Sequence, residues 1–138
     1  MEKRVVSQKL DNIRNYVRRI EDKVPTDPAI LASDYDTQDI ISINLERVVQ
    51  SCVDLAAQIG SDFDDMPVLS AASVFLELAK RKVVSTDLAE SLARAAGFRN
   101  LLVHRYASID WQRVYVFVTT QLGLFRRFVQ QVEVYSEL

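Results

Sequence analysis

His104 is the only histidine of the chain, and it lies among polar side chains in an otherwise apolar stretch. The stretch reads Gly97-Phe98-Arg99-Asn100-Leu101-Leu102-Val103-His104-Arg105-Tyr106. Because histidine titrates near neutrality, its imidazole can accept or release a proton during a reaction. A single histidine near a helix end is more often a cap or a surface residue. The residue type alone therefore leaves a catalytic and a structural role open.

The spacing of these polar residues is compatible with a site on one helix face. In an ideal helix, Asn100 and His104 are about 40° apart around the axis, close enough for the amide to orient the imidazole. Arg99 lies about 140° from His104. The two side chains therefore meet only if the helix bends or ends near His104, or if a second subunit supplies one of them. Gly97 offers a position for such a bend.

Hydrophobic residues recur at alternating steps of four and three along most of the chain, which is the repeat of amphipathic helices. The first predicted helix starts near Val6 and ends before Pro25. After a connector in which residues 27–28 suit a short helical turn, the second helix follows the stripe over residues 41–59 and stops at Gly60. The acidic segment 61–67 is predicted to be a solvated turn, since no second ligand cluster accompanies its three acids as a metal site would require.

Three further helices are predicted in the second half of the chain. A Ser70 cap begins the third helix, which extends to about Lys82. Ser85 or Thr86 caps the fourth, which carries the His104 cluster. The fifth runs from a cap at residue 108 or 110 almost to the C-terminus, and we expect its aromatic stripe to form core or subunit interface rather than a base-stacking platform.

Composition favours an all-α fold. The chain has 138 residues, of which 49% are hydrophobic, enough to fill one core, so we predict a single domain over residues 1–138. Only 3 glycines and 3 prolines are present, too few for the turns of an antiparallel sheet. We therefore expect an antiparallel helical bundle of about five helices.

No apolar run of membrane-spanning length is present, and the N-terminus does not resemble a secretory signal, so a cytoplasmic protein is expected. The single Cys52 is interpreted as a buried thiol.

Charge is distributed unevenly along the chain. Residues 1–70 contain 8 Lys/Arg and 13 Asp/Glu, whereas residues 71–127 contain 9 Lys/Arg and 4 Asp/Glu. A basic C-terminal half could bind phosphates and an acidic N-terminal half could bind a basic partner, although such asymmetry also arises by chance in helical proteins.

The cluster around His104 resembles the R-x4-H-x-Y signature of the HepT-like branch of the HEPN family of helical bundles. Arg99, His104 and Tyr106 occupy the three defined positions, and Gly97-Phe98 also match. The segment Leu45-Glu46-Arg47-Val48-Val49-Gln50-Ser51-Cys52-Val53-Asp54-Leu55-Ala56 is similar to the family's second helix. The resemblance covers nearly the whole chain.

The resemblance implies a metal-independent endoribonuclease toxin in which Arg99 and His104 of two protomers line a cleft at a two-fold interface. One neutral imidazole would take the proton of a ribose 2′-hydroxyl, and the partner's imidazolium would protonate the leaving 5′-oxygen. Arg99 would hold the phosphate, and Asn100 would orient His104 or contact the phosphate. The product would carry a 2′,3′-cyclic phosphate, with no cofactor and no metal.

Partners follow from the same resemblance. We expect an RNA substrate, a homodimer or higher homo-oligomer, and an MntA-like nucleotidyltransferase antitoxin that transfers AMP to Tyr106. The candidates for contact with the RNA backbone are Lys80, Arg81, Lys82, Arg94 and Arg105, each of which could equally be a solvated surface charge. Two alternatives are a HEPN module without turnover that partners a nucleotidyltransferase, and a purely structural role in which Arg99 and His104 tie helices together.

Overall fold

Seven α-helices form the part of the chain that a computed structural model describes, namely residues 2–67, 70–104 and 109–138, apart from the side chains of residues 103 and 104. The helices are α1 (Lys3–Lys23), α2 (Pro28–Ser33), α3 (Tyr35–Gly60), α4 (Ala71–Lys80), α5 (Thr86–His104), α6 (Trp111–Thr120) and α7 (Gly123–Ser136). The predicted all-α class is confirmed.

The long helices pack against one another as a bundle. Helix α1 lies against α3 and α7, and α5 also contacts both α3 and α7. The shorter α4 packs beside α3 and α5, while α2 contacts α3 and α6. Among the described helices, none combines the length and the hydropathy that a membrane span requires.

Short polar side chains cap several helices where the sequence predicts it. Asp27 accepts a hydrogen bond from the backbone N–H of Ala29 at 2.9 Å, so the predicted turn at residues 27–28 starts α2. Ser70 caps α4 by accepting from the N–H of Ser73 at 3.2 Å. Each cap satisfies an N–H group that has no partner within its own helix.

Helix α3 is longer than its hydrophobic stripe predicts, because it begins at Tyr35 rather than near Ile41. Asp34 caps it by accepting from the N–H groups of Asp36 at 3.1 Å and Thr37 at 3.5 Å. Gln38, in the first turns of α3, donates to the carbonyl of Leu31 at 2.9 Å and fastens α2 to α3. Acidic residues interpreted as connector therefore form a cap and a first helical turn.

The prediction of a single fifth helix is wrong, because the structure divides it into α6 and α7 at residues 121–122. Asp110, one of the two predicted caps, starts α6 by accepting from the N–H of Gln112 at 3.0 Å. The hydroxyls of Thr119 and Thr120 donate to carbonyls one turn earlier, at 2.7 Å and 2.6 Å, and this back-bonding bends helices. Gly123, a poor helix former, follows directly.

Helix α4 ends at Lys80, two residues before the predicted end. Lys82 adopts a left-handed backbone with φ of 63°. The N–H groups of Lys82 and Val83 return to the carbonyls of Ala79 and Leu78, both at 3.0 Å, which is the Schellman arrangement that ends a helix. Residues 81–84 therefore form the turn that leads toward α5.

Aromatic side chains of α6 and α7 belong largely to the core, as predicted. Phe125 and Phe128 are fully buried. The ring of Phe128 meets that of Phe75 edge-on, with centroids 5.9 Å apart. The Tyr115 hydroxyl lies 3.1 Å from the carbonyl of Thr26 and ties α6 to the segment before α2.

Replacing Phe128 with alanine should destabilise the fold by about 3–5 kcal/mol, because the change leaves a cavity at the centre of the bundle. The melting temperature, followed by circular dichroism, should fall by roughly 10–20 °C. Tyr135→Ala on the same helix is the control, since Tyr135 is 39% exposed. A Phe128→Ala melting temperature equal to that of the control would contradict the assignment of Phe128 to the core.

Candidate functional site

Helix α5 carries the motif residues and runs from Thr86 to His104 through Gly97. The helix is continuous across Gly97. His104 follows Arg99 by five positions along the helix, which corresponds to about 7.5 Å along the axis and about 140° around it. The His104 side chain, Arg105 and Tyr106 lie outside the described residues.

Arg99 is half-buried and contacts α3. Its Nη1 donates a hydrogen bond to Oε1 of Gln50 at 2.8 Å, across 49 residues of sequence. Its Nε is buried and has no hydrogen-bond partner among the described residues. The Arg99 guanidinium thus donates to a neutral oxygen through Nη1, while its Nε has no partner among the described residues.

Gln50 is itself held by a second residue of α3. Its Nε2 donates to Oδ1 of Asp54 at 2.8 Å, one helical turn away. The result is a chain of two hydrogen bonds from Asp54 through Gln50 to Arg99. The resemblance of residues 45–56 to a helix of the family predicts no role for Gln50 or Asp54. The spacing of Gln50 and Asp54, four residues apart beside the buried stripe of α3, is the sequence feature that indicates a contact between them.

Asn100 is exposed on α5, next to Arg99. Its expected contact with the imidazole involves a side chain outside the described residues. The role of Asn100 therefore stays a prediction.

The candidate RNA-binding residues fall into two groups, one that precedes α5 and one that is nearer in sequence to the motif at its end. Residues 80–82 precede the first turn of α5, whereas His104 is its last residue, so roughly 27 Å of helix axis separate them. Lys80 is exposed and lies 3.6 Å from a carboxylate oxygen of Glu77. Arg81 is only 16% exposed and pairs with Asp65 at 2.7 Å and Glu77 at 3.1 Å. The Arg81 guanidinium is thus engaged within the fold, and the acidic segment 61–67 supplies one of its partners.

Arg94 lies closer to the motif, on an open groove between α5 and the helices α6 and α7. The groove has a volume of about 440 Å³, and its lining includes Arg94, Phe98, Arg113 and Phe117. Phe98 stacks on Phe117 with centroids 5.0 Å apart, and the Arg113 guanidinium lies 5.8 Å from the Phe98 ring centroid. The groove thus combines an aromatic floor with two arginines.

Cys52 is buried in α3, as predicted for a structural thiol. Burial raises the pKa of the thiol above its ordinary value, because a thiolate would lose its hydration there. Within the described ranges, no three His, Cys, Asp or Glu side chains are grouped as ligands of a metal ion.

A family model described as ribonuclease HepT-like matches residues 13–132. The chain belongs to this family. The matched range begins midway along α1 and extends into α7, so it contains the Arg99–Gln50 contact. The resemblance inferred from the residues around His104 is thereby confirmed.

Relatives of this HepT-like chain include two nucleases. The chain is 26% identical over 129 residues to an mRNA nuclease HepT of Shewanella oneidensis, covering 94% of this chain and 96% of the relative. It is 28% identical over 103 residues to a tRNA nuclease HepT of Aphanizomenon flos-aquae, covering 75% and 70%.

A solved structure has the same fold as the HepT-like chain. It is a tri-AMPylated Shewanella oneidensis HEPN toxin in complex with an MNT antitoxin. The TM-score is 0.87 at 25% identity, over 97% of this chain and 99% of that chain. The predicted HEPN-like bundle is confirmed.

Proposed function

We propose that this chain is a metal-independent endoribonuclease and the toxin of a toxin–antitoxin pair. The observation that carries the proposal is the ribonuclease HepT-like match over residues 13–132, a range that contains Arg99 and His104. Arg99 supports it further, because no described carboxylate pairs with its guanidinium. A guanidinium that is not paired with a carboxylate can bind an RNA phosphate through a fork of N–H donors.

The proposed reaction is an internal transfer within RNA. His104 of one protomer takes the proton from a ribose 2′-hydroxyl, and the 2′-oxygen forms a bond to the adjacent phosphorus. The bond from phosphorus to the 5′-oxygen breaks, and the imidazolium of the other protomer protonates that oxygen. Arg99 stabilises the negative charge that grows on the phosphoryl oxygens. The products are a 2′,3′-cyclic phosphate and a 5′-hydroxyl end.

A homodimer supplies what one chain lacks in this scheme. The chain has one histidine, whereas the reaction uses a base and an acid at the same time. The continuous α5 also places positions 99 and 104 about 140° apart around its axis. We therefore place the cleft at a two-fold axis between protomers.

RNA would enter this cleft along the basic residues nearest to the motif. Among the candidates, Arg94 is exposed on the groove beside Arg113, about 7.5 Å of helix axis before Arg99. Arg105 lies next to His104 in sequence. Lys80 and Lys82 could contact only a strand that follows α5 to its opposite end, and Arg81 is already engaged by Asp65 and Glu77.

The antitoxin would be an MntA-like nucleotidyltransferase, as for the Shewanella oneidensis toxin. We propose that it transfers AMP to the Tyr106 hydroxyl. The added phosphate would lie beside the arginines of the motif, and the added nucleoside would occupy space that RNA needs.

Purified protein should cleave a mixed-sequence single-stranded RNA with or without EDTA, since the scheme uses only side chains for proton transfer. Enzymatic end analysis should find 2′,3′-cyclic phosphate and 5′-hydroxyl ends. Cleavage that stops with EDTA and returns with Mg²⁺, or products with 5′-phosphate ends, would contradict the proposed chemistry.

A further inference from the structure

The contact that holds Arg99 differs from the ion pairs that hold four other arginines of the chain. Arg14, Arg81, Arg126 and Arg127 each form an ion pair with a carboxylate. Arg99 is half-buried, yet its described partner is the amide oxygen of Gln50. A carboxylate is within reach of the same network, because Asp54 lies one helical turn from Gln50. The amide stands between the two charges.

Asp54 determines which end of the amide faces Arg99. An ionised carboxylate only accepts hydrogen bonds, so it selects the NH₂ group of Gln50. The opposite end of the amide, the oxygen, is then directed toward the donor-only guanidinium. If the amide were reversed, both contacts would fail, since NH₂ would face guanidinium and oxygen would face carboxylate. Asp54 and Gln50 therefore act as a unit.

A neutral acceptor has a consequence for phosphate binding. A carboxylate in its place would compete with an RNA phosphate for the same charge and the same N–H donors. An amide oxygen fixes the direction of the guanidinium and leaves its net charge unpaired. The buried Nε of Arg99 has no hydrogen-bond partner among the described residues.

We propose that Gln50, oriented by Asp54, is a positioning residue that aims Arg99 at the scissile phosphate without neutralising it. This inference rests on the proposed ribonuclease function. It assigns a role in RNA cleavage to α3, which carries none of the R-x4-H residues. Gln50 itself acts only through Arg99.

Two substitutions of Gln50 distinguish a role in positioning Arg99 from a role in holding α3 against α5. Gln50→Glu keeps an acceptor for Arg99 but adds a negative charge, whereas Gln50→Met keeps the length of the side chain and removes the acceptor. Gln58→Glu is the matched control, because it makes the same charge change on the same helix about 12 Å further along the axis. Each protein is first checked for unchanged helicity and melting temperature.

Cleavage of a short mixed-sequence RNA that carries a fluorophore and a quencher gives kcat and KM separately. Gln50→Glu should lose roughly 10- to 100-fold in kcat/KM, mainly through a higher KM, because the new carboxylate competes with phosphate. Gln50→Met should lose a similar factor mainly in kcat, since a loosened Arg99 no longer favours the transition state. Gln58→Glu should stay within about twofold of wild type.

If Gln50 merely fastens two helices, Gln50→Glu should cleave as fast as wild type, because an ion pair fastens at least as well. That result in folded protein would overturn the proposal. Should Gln50→Glu fail to fold, wild-type activity of Gln50→Met would overturn it instead. Inactive wild-type protein would refute the ribonuclease function itself, an outcome distinct from either of these.

Discussion

Cells that express the His104→Ala variant without an antitoxin should grow normally, whereas cells that express the wild type should stop growing. Removal of a general acid–base group typically lowers a rate by about 10²- to 10⁴-fold, and in the proposed dimer this change removes both the base and the acid. Arg99→Ala should have a comparable effect, because charge on the phosphoryl oxygens would no longer be stabilised. Growth curves and the integrity of total cellular RNA give the measurement.

Arg19→Ala is a suitable control for Arg99→Ala, since Arg19 is an exposed arginine of α1. Its growth arrest should equal that of the wild type. Persistent RNA cleavage by folded His104→Ala protein would contradict the assignment of His104 as the proton-transfer group. Melting temperatures of the purified variants equal to that of the wild type would exclude unfolding as the cause of lost growth arrest.

Tyr106→Phe should remain toxic when the cognate nucleotidyltransferase is co-expressed, whereas wild type should be neutralised. The substitution removes the oxygen that would accept AMP and keeps the aromatic ring. Intact-mass spectrometry should show AMP-sized additions on the wild type and none on Tyr106→Phe. The difference in growth should be nearly complete, because covalent modification would block the cleft by both charge and bulk.

Tyr135→Phe is the control for this experiment, as Tyr135 is a partly exposed tyrosine near the end of α7. It should be modified and neutralised like the wild type. If the partner silences Tyr106→Phe as completely as wild type, neutralisation occurs by binding rather than by AMP transfer to Tyr106.

Hydrophobic periodicity was sufficient to predict the main helices of the bundle. A stripe with steps of four and three predicts a helix whose apolar face is buried. In α1 that stripe is Val6-Leu10-Ile13-Val17-Ile20, and all five residues are buried. The break between α6 and α7 could not be read from the stripe, because the hydrophobic repeat continues across it. Threonine hydroxyls bond to the preceding turn just before the break, and such local hydrogen bonds leave the periodicity unchanged.

The candidate site was predictable only in part. Arg99 and His104 lie close in sequence, so a short motif was enough to find them. Gln50 contacts Arg99 across 49 residues, and that contact depends on how α3 packs against α5. Engagement of Arg81 by Asp65 is likewise a result of tertiary structure that a run of basic residues does not reveal.

A pair of chains fused in tandem by a flexible linker tests the central claim most directly, namely that one cleft uses histidines from two protomers. Light scattering first selects fusion proteins that contain a single pair of copies. Cleavage rates are then compared for fusions with two wild-type copies, with one His104→Ala copy, and with two His104→Ala copies. If base and acid come from different protomers, one His104→Ala copy should reduce the rate nearly to that of the doubly substituted fusion. A rate near half that of the wild-type fusion would show that each protomer acts alone, and it would contradict the composite site.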